Sequence, residues 1–469
     1  MSKERTLIKN TAIVTIGKVC TQLVSFFLLP LYTAYLTTTE YGVVDLLNTL
    51  ISLLIPILTF QVDQGIFRFL IDSRDNEEGQ KKLITTITFF ILRQVAIYMV
   101  IFLVVSPWIN NEYKYFLATN LIATSCTNIL LQVARGLGNN TKYTIGSFLS
   151  GVATIVLNVI LIAGFKQGAY GMLYANLIGN IVCIIYIFVS MKLYKKVKKI
   201  YYDKAILKEL LRYSLPLIPN AISWWIVNVS NRMIITYFMN VSMNGIYSVA
   251  NKFSSVVTTI YSVFNITWTE SVSVNFKSED KDEYFSKIFD VTVRFFGALC
   301  LGIIAFMPFA FSILVNESYN EAYMQIPILI IGTMFNILVS FLGTIYVAKK
   351  LSKEIAKISL VTAIINIVID LALINFIGLY AASLSTVISW LVMFIYRFID
   401  SRKYVKLKVD KKIVISMIIG TIITLVSYYL NNNILSIVVA LLITIYAVCI
   451  NLKNVNFLYK AVKDKFAKR

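Results

Sequence analysis

The segment YLTTTEYGVVDLLN at Tyr35–Asn48 is matched by the segment FMNVSMNGIYSVAN at Phe238–Asn251. With the two segments aligned from end to end, Gly42 falls on Gly245 and the terminal asparagines fall on each other. Each copy lies at the beginning of a long apolar run. We infer that the chain contains two related halves built from similar helices.

Composition excludes a water-soluble fold. Of the 469 residues, 58% are apolar and only 14% are charged, and the mean hydropathy is +0.74. Too few polar groups are present to cover such a core with a water-facing surface. The apolar residues form long runs between short polar clusters, a pattern typical of membrane-spanning helices.

At about 20 residues per span, the runs predict about fourteen transmembrane helices. We place them at 11–36, 42–70, 84–108, 116–134, 144–165, 170–191, 214–239, 245–275, 288–315, 324–347, 357–376, 380–398, 413–431 and 434–452. The first run is too long for the apolar region of a signal peptide and contains Lys18, so we predict a retained helix there.

The lysines and arginines between these helices are strongly asymmetric. Alternate loops and both termini hold nearly all of them, whereas the other loops contain only Lys114 and Lys166. The positive-inside rule therefore places both termini in the cytoplasm of a multi-pass protein of the cytoplasmic membrane. The net charge of +20 then belongs to loops that face anionic lipids, including MKLYKKVKKIYYDK from Met191, and we predict no nucleic-acid partner.

Internal spacing predicts the fold class, an all-α integral membrane protein with a parallel repeat. Arg93 precedes Pro107 by the same interval that separates Arg294 from Pro308. Six helices return the chain to its starting side, so two six-helix copies have the same orientation and are related by a pseudo-twofold axis along the membrane normal. We predict an N-lobe at 1–200, a C-lobe at 201–405, and two further helices with a basic tail at 406–469.

Polar side chains recur at helical spacing in the predicted helices two and eight. They are Asp45, Asn48, Ser52, Thr59 and Asp63 in the former, and Ser248, Asn251, Ser255, Thr258, Ser262, Asn265 and Thr269 in the latter. Such stripes favour the walls of a hydrated cavity. Polar contacts between packed helices are the alternative.

Charges inside the predicted spans give the candidate binding residues. Together with Asn48 and Asn251, the cations Lys18, Arg68, Arg93, Arg232 and Lys252 are the candidates for an anionic substrate, and Asp45, Asp63 and Asp370 are the candidates for ion coupling. Snorkelling to the membrane surface could explain several of these charges without any function. A pair of Asp370 with Arg232 or Lys252 is also open, as is a pair of Lys18 with Asp63.

The sequence carries no signature of an enzyme. It contains no histidine, no phosphate-binding glycine loop and no paired carboxylates at catalytic spacing. The five cysteines lie scattered in apolar runs, so we predict neither a metal site nor a cofactor. Short outer loops argue against a glycan polymerase, which we expect to need a larger external loop.

The opening of the chain resembles a known family. RTLIKNTAIVTIGKVCTQLVSFFLLPLYTAYLTTTEYGVVDLLNTL from Arg5, DQGIFRFLID from Asp63 and ARGLGNNTKYTIGSFLSGVATIVLNVILI from Ala134 are similar to bacterial polysaccharide-transport flippases of the O-antigen type. These belong to the multidrug/oligosaccharidyl-lipid/polysaccharide exporter superfamily. The resemblance runs from the first to the twelfth predicted helix.

The resemblance implies a flippase that carries undecaprenyl-diphosphate-linked oligosaccharide from the inner to the outer leaflet, with a polysaccharide polymerase as a possible partner. It transfers the family positions Gly42, Gly65, Arg68 and Arg135 to this chain. The final helix pair resembles the fourteen-helix arrangement of lipid II flippases. A lipid II flippase and an ion-coupled multidrug antiporter of the same superfamily are the alternatives.

Overall fold

A computed structural model describes residues 26–276, 278–349 and 351–467. In this part of the chain the regular structure is helical throughout, without a strand. The prediction of an all-α membrane protein is confirmed. The chain divides into two compact units, Met1–Gly245 and Ile246–Arg469. The predicted lobes 1–200, 201–405 and 406–469 have other boundaries and stay a prediction.

The first unit is built from ten α-helices in the described residues, with α11 beginning at its end. They are α1 Leu29–Tyr35, α2 Thr38–Thr59, α3 Val62–Asp72, α4 Glu77–Val105, α5 Lys114–Gly136, α6 Asn140–Asn158, α7 Gly168–Ser190, α8 Leu193–Lys196, α9 Lys204–Ser214 and α10 Ile218–Phe238. Helix α6 continues into a π-helical turn, Val159–Gly164.

The second unit takes most of α11 and the remaining long helices. They are α11 Val241–Asn275, α12 Lys281–Leu314, α13 Glu321–Ala348, α14 Ser352–Ile377, α15 Leu379–Ser401, α16 Lys411–Leu430 and α17 Asn433–Ala467.

Eleven helices in the described residues are long and apolar enough to cross a membrane. They correspond to eleven of the fourteen predicted spans. Most of predicted helix one lies outside the described residues. Helices α10 and α11 cover predicted helices seven and eight but are not among the eleven. The chain is therefore a multi-pass membrane protein.

The prediction of one continuous helix over 42–70 is wrong. Phe60 and Gln61 both adopt left-handed backbone angles, with φ of 53° and 56°, and they separate α2 from α3. A left-handed residue cannot continue a right-handed helix. Asp63 consequently lies in the first turn of α3 and does not extend the polar stripe of α2.

The lysine-rich linker after α7 is packed onto the first unit. Leu193, Leu207 and Leu210 are buried in the same core cluster as residues of α3 and α4. The Thr85 hydroxyl of α4 donates to the carbonyl oxygen of Lys196 at 3.1 Å. These contacts fix the position of a segment that the sequence predicts only as a surface linker.

The second unit uses a similar linker contact. In the first unit the Lys198 amide donates to the Thr85 hydroxyl at 3.4 Å. In the second, the Lys408 amide donates to the Ser286 hydroxyl of α12 at 2.8 Å. Thr85 and Ser286 occupy matching places when Arg93 is aligned with Arg294, so the two halves share this contact.

Helices α2 and the start of α11 cross within the first unit at two glycines. A Cβ atom on Gly42 would collide with the carbonyl oxygen of Val241, and one on Gly245 would collide with that of Thr38. The Thr38 and Ser242 hydroxyls are 2.6 Å apart across this crossing. Small residues allow such close backbone approach between membrane helices.

The last two helices pack on α12, and Arg294 joins all three. Its Nε lies 2.6 Å from Asp290 Oδ2, one turn earlier on the same helix. Its Nη2 lies 3.4 Å from Asp410 Oδ2 at the start of α16, and its Nη1 donates to the Ile450 carbonyl of α17 at 3.4 Å. The ion pair with Asp290 agrees with a structural role for Arg294.

The glycine crossing generates a stability prediction. We expect Gly42→Ala to lower the thermal midpoint of the detergent-solubilised protein, because the new methyl group meets backbone that cannot rotate away. Overpacking of this kind costs about 1–3 kcal/mol. The matched control is Gly302→Ala in α12, where, apart from its own helix backbone, no atom of the described residues lies within 4 Å of the added Cβ. Equal midpoints for the two variants would contradict a tight crossing.

Candidate functional site

The polar face of α2 lies against α10 in the first unit. Trp225 Nε1 of α10 donates to the Ser52 hydroxyl at 2.9 Å and to the Thr49 carbonyl oxygen at 3.1 Å. Indole N–H groups that are withdrawn from water need such a partner. The stripe on α2 is therefore used in part for contact between helices.

An ion pair lies one to two turns nearer the start of α2. Arg232 Nε of α10 is 3.1 Å from Asp45 Oδ2, with the two side chains 24% and 16% exposed. The Nε–H has no aligned hydrogen-bond acceptor among the described residues, so the contact with Asp45 is electrostatic. Asn244 Nδ2 also contacts Asp45 Oδ2, at 3.4 Å, and donates to the Gly42 carbonyl at 3.1 Å.

This cluster brings together two of the predicted site residues, Asp45 and Arg232. It adds Asn244, which lies outside the predicted polar stripes. Asn48 lies on the same helix as Asp45 but is exposed. The arrangement places a carboxylate beside the guanidinium, and an anion that binds Arg232 would compete with Asp45 for it.

The other cations of the first unit lie apart from this pair. Arg68 is exposed and forms an ion pair with Asp72 at 2.7 Å, one helical turn away. Arg93 is exposed on α4, with its guanidinium 5.6 Å from the centre of the Phe90 ring. Lys18 lies outside the described residues, so its pair with Asp63 stays a prediction.

Asp63 itself is a buried carboxylate at the start of α3. Gln64 Nε2 donates to its Oδ2 at 2.8 Å, and Oδ1 has no hydrogen-bond partner among the described residues. A carboxylate in the first turn of a helix is stabilised by the helix dipole. This position accounts for its charge without a ligand.

Two family positions have clear packing roles. A Cβ on Gly65 would collide with the Ser214 hydroxyl, so this glycine allows α3 and α9 to approach closely. Arg135, near the end of α5, places its guanidinium 4.6 Å from the centre of the Phe67 ring. Both hold α3 against its neighbours.

In the second unit, Asn251 and Lys252 are half-buried on α11. The hydroxyls of their stripe bond largely to their own helix. Ser255, Thr258, Ser262 and Thr269 each donate to a carbonyl three or four residues earlier, at 2.7 to 2.9 Å. Such back-bonding satisfies a hydroxyl without water, so the stripe alone does not require a hydrated cavity.

Asp370 of α14 is the carboxylate with the least compensation in the described part of the second unit. Its exposure is 0%, and neither carboxylate oxygen has a hydrogen-bond partner among the described residues. One turn earlier, Asn366 Nδ2 donates to the Ser385 hydroxyl at 3.4 Å. An ionised carboxylate in such a place is costly, so Asp370 needs a proton or a cation.

Arg397 is a buried charge that was not among the predicted site residues. It lies inside α15, is 5% exposed, and donates from Nη1 to the Val339 carbonyl of α13 at 2.9 Å. Gly343 provides space for the guanidinium, because a Cβ atom at this position would lie 2.7 Å from Arg397 Nη1. The sequence did hold a signal, because Arg397 falls one residue inside the predicted span 380–398.

Solved structures with a similar fold include a flippase and multidrug transporters. The chain is similar to the lipid II flippase MurJ in an inward closed conformation (TM-score 0.69, 15% identity, 95% of this chain and 100% of that chain). It is also similar to an inward-facing multidrug resistance MATE transporter of the MOP superfamily (0.65, 13%, 84% and 98%). A third is the MATE multidrug transporter DinF-BH (0.60, 16%, 86% and 96%).

These likenesses show the fold, an all-α membrane fold that this chain shares with a flippase and with multidrug transporters. The model of the family described as polysaccharide biosynthesis protein matches residues 7–268, more than half of the chain. The protein therefore belongs to the polysaccharide biosynthesis protein family. No curated protein matches the chain.

The Asp45–Arg232 contact predicts thermodynamic coupling. We expect Asp45→Asn and Arg232→Gln each to lower stability by about 2 kcal/mol, between the values typical of exposed and of buried ion pairs. The double variant should lose less than the sum, because it leaves no unpaired charge. Thermal midpoints of the four purified proteins measure the coupling, and strictly additive losses would contradict the pair.

Proposed function

We propose that the protein is a flippase for undecaprenyl-diphosphate-linked oligosaccharide, the repeat unit of a surface polysaccharide. It moves this lipid from the inner to the outer leaflet of the cytoplasmic membrane by alternating access. The observation that carries the proposal is membership of a polysaccharide biosynthesis family in a chain with a transporter fold. The precursor that such a pathway must carry across a membrane is a glycan on a lipid.

The charges of the first unit support an anionic cargo. A diphosphate cannot enter hydrocarbon without partners, and arginine donors form charge-assisted hydrogen bonds to phosphate oxygens. Arg232 is the favoured contact, because its Nε–H has no aligned hydrogen bond to Asp45 among the described residues, so a diphosphate can compete for the guanidinium. We also propose Lys18, Arg68, Arg93 and Lys252 as cationic contacts of the substrate. Asn48 and Asn251 are proposed as its polar contacts.

Asp370 is the favoured coupling residue of the second unit. A buried carboxylate without a hydrogen-bond partner among the described residues is suited to take up and release a proton or a cation during each transport cycle. Asp45 is the weaker candidate because it is paired with Arg232, and Asp63 because Gln64 and the helix start stabilise it. No nucleotide-binding motif is present in the sequence, so an ion gradient or the membrane potential supplies the energy.

The distribution of basic loops supports the proposed orientation, with both termini in the cytoplasm. In this orientation the Asp45–Arg232 pair lies toward the outer end of its helices. A polysaccharide polymerase is the proposed partner on the outer side, since the delivered repeat units have to be joined there.

A second candidate is an ion-coupled multidrug antiporter, and a third is a lipid II flippase. Both are favoured by structural likeness, to MATE transporters and to MurJ respectively. The acidic Asp370 also suits a cation antiporter. The family model favours the polysaccharide precursor over both.

A deletion strain distinguishes the three. We expect loss of the gene to abolish one surface glycan and to leave its lipid-linked repeat units on the cytoplasmic side of the membrane. Mass spectrometry of extracted lipids, with enzymatic labelling of each leaflet, measures the accumulation. Normal glycan with drug sensitivity would indicate the antiporter, and accumulation of lipid II would indicate the third candidate.

The same strain tests the residues. We expect Arg232→Ala to fail in restoring the glycan at an unchanged protein level, because the headgroup loses its charged partner, and Arg232→Lys to restore it in part. The matched control is Lys208→Ala, which removes a charge from the exposed face of α9 and should complement fully. Lys252→Ala tests the prediction for the second unit separately. Full complementation by the Arg232→Ala/Lys252→Ala double variant would refute the cationic site.

For Asp370, we expect the thermal midpoint of the purified protein to depend on sodium concentration or on pH, and this dependence to vanish in Asp370→Asn. A cation at 100 times its Kd stabilises a folded protein by about 2.7 kcal/mol, a shift that calorimetry resolves. Asn375→Ala, an exposed change on the same helix, should keep the dependence. A wild-type midpoint insensitive to sodium, to other monovalent cations and to pH would contradict a coupling role.

A further inference from the structure

The second unit contains a groove that the proposed transport cycle does not use. It has a volume of about 920 Å³ and is formed by four helices, with Phe289 of α12, Met334 of α13, Phe394 of α15 and Ile418 of α16 among its walls. This volume lies within the range of pockets that bind small molecules. The groove is therefore large enough to hold a ligand, and it is larger than a packing defect between helices.

The walls are almost wholly apolar, and their charges lie at one end. Arg402 and Lys411 are the two charged residues of the lining. Arg402 follows α15 directly, and Lys411 begins α16, so both belong to the same end of the groove. The hydroxyl of Thr421, in the lining farther along α16, donates to the Met417 carbonyl at 2.8 Å. The groove thus presents a cationic mouth and a hydrocarbon interior.

These two cations are not neutralised within the described part of the chain. No carboxylate oxygen there lies within 4 Å of either side-chain cation, since the nearby acids have other partners. Asp400 forms an ion pair with Lys403 at 2.6 Å, and Asp410 contacts Arg294 at 3.4 Å. The mouth of the groove therefore favours an anion.

The length of the groove limits the class of ligand. Its lining on α16 runs from Lys411 to Ile422, which at 1.5 Å per residue is about 16 Å. This is about half of the ~30 Å hydrocarbon thickness of a bilayer. A single acyl chain has this reach, with its headgroup at the membrane surface where the basic linker lies.

We propose that this groove is a binding site for an anionic membrane phospholipid. The phosphate contacts Arg402 and Lys411, and one acyl chain lies between α12, α13, α15 and α16. Charge-assisted donors suit the phosphate oxygens, and the apolar walls suit the chain. The site is separate from the proposed flippase site, and its test does not depend on transport.

The headgroup contact is tested by native mass spectrometry of the full-length protein after delipidation. Phosphatidylglycerol and phosphatidylcholine with identical acyl chains are the probes. We expect phosphatidylglycerol to bind about tenfold more tightly, and Arg402→Ala/Lys411→Ala to remove this preference. The matched control, Lys406→Ala/Lys408→Ala, removes two exposed charges of the same linker that do not line the groove and should keep it.

The contact between the acyl chain of the phospholipid and the groove is tested with a separate pair of variants. Ile418 and Ile419 are neighbours on α16 and are similarly exposed, at 54% and 52%, but only Ile418 lines the groove. We expect Ile418→Trp to lower phosphatidylglycerol binding and Ile419→Trp to leave it unchanged. Thermal midpoints of both variants verify that each protein is folded.

Three results would overturn the proposal. Equal binding of the two phospholipids would exclude a headgroup site, and equal loss in both double-alanine variants would indicate diffuse attraction to the basic linker. Undecaprenyl phosphate that binds more tightly than phosphatidylglycerol, and depends on Arg402 and Lys411, would assign the groove to the carrier lipid.

Discussion

A polar side chain inside hydrocarbon has to find its partner within the protein, and much of this structure follows from that requirement. The hydroxyls of α2 and α11 bond mostly to carbonyls of their own helix, as Thr59 does to Ile55 at 2.9 Å. Trp225, Asp45 and Arg232 cannot do so and bond between helices instead. The helices that carry the longer polar groups are therefore the ones whose packing is fixed by them.

The structure therefore distinguishes two kinds of polar residue that look the same in a polar stripe of the sequence. A serine or threonine at helical spacing is compensated locally, and it gives little information about a cavity. A carboxylate, a guanidinium or an amide reaches farther and can be matched by another element. Asp45, Arg232 and Asn244 form one such set, and Arg397 with the Val339 carbonyl is another. Asp370 is the exception, and this is why it is the favoured coupling residue.

The sequence was sufficient for features that depend on local composition or on repetition. The apolar runs predicted the spans, and the aligned segments paired Gly42 with Gly245, which the structure brings into contact. Features that depend on a neighbouring element could not be predicted from the sequence. Nothing local to α2 indicates that Arg232 is opposite Asp45, and the break at Phe60 and Gln61 has neither glycine nor proline to mark it.

The burial of Arg397 shows a different limit, because this residue lies one position from the predicted end of its span, and such boundaries carry an error of a few residues. One turn of error moves a charge from water into the core. The linkers show the same limit in reverse. Their lysines predicted a surface, whereas their leucines and backbone amides attach them to α4 and α12.

The crossing of α2 and α11 at the two glycines is also symmetric. Gly42 approaches Val241, Gly245 approaches Thr38, and in the aligned segments Thr38 is the counterpart of Val241. Each of the two segments thus contacts the other through the same aligned positions. That reciprocity is the property of an isologous interface in a twofold dimer. Substitutions at Gly42 and at Gly245 would therefore disturb the same crossing from its two sides.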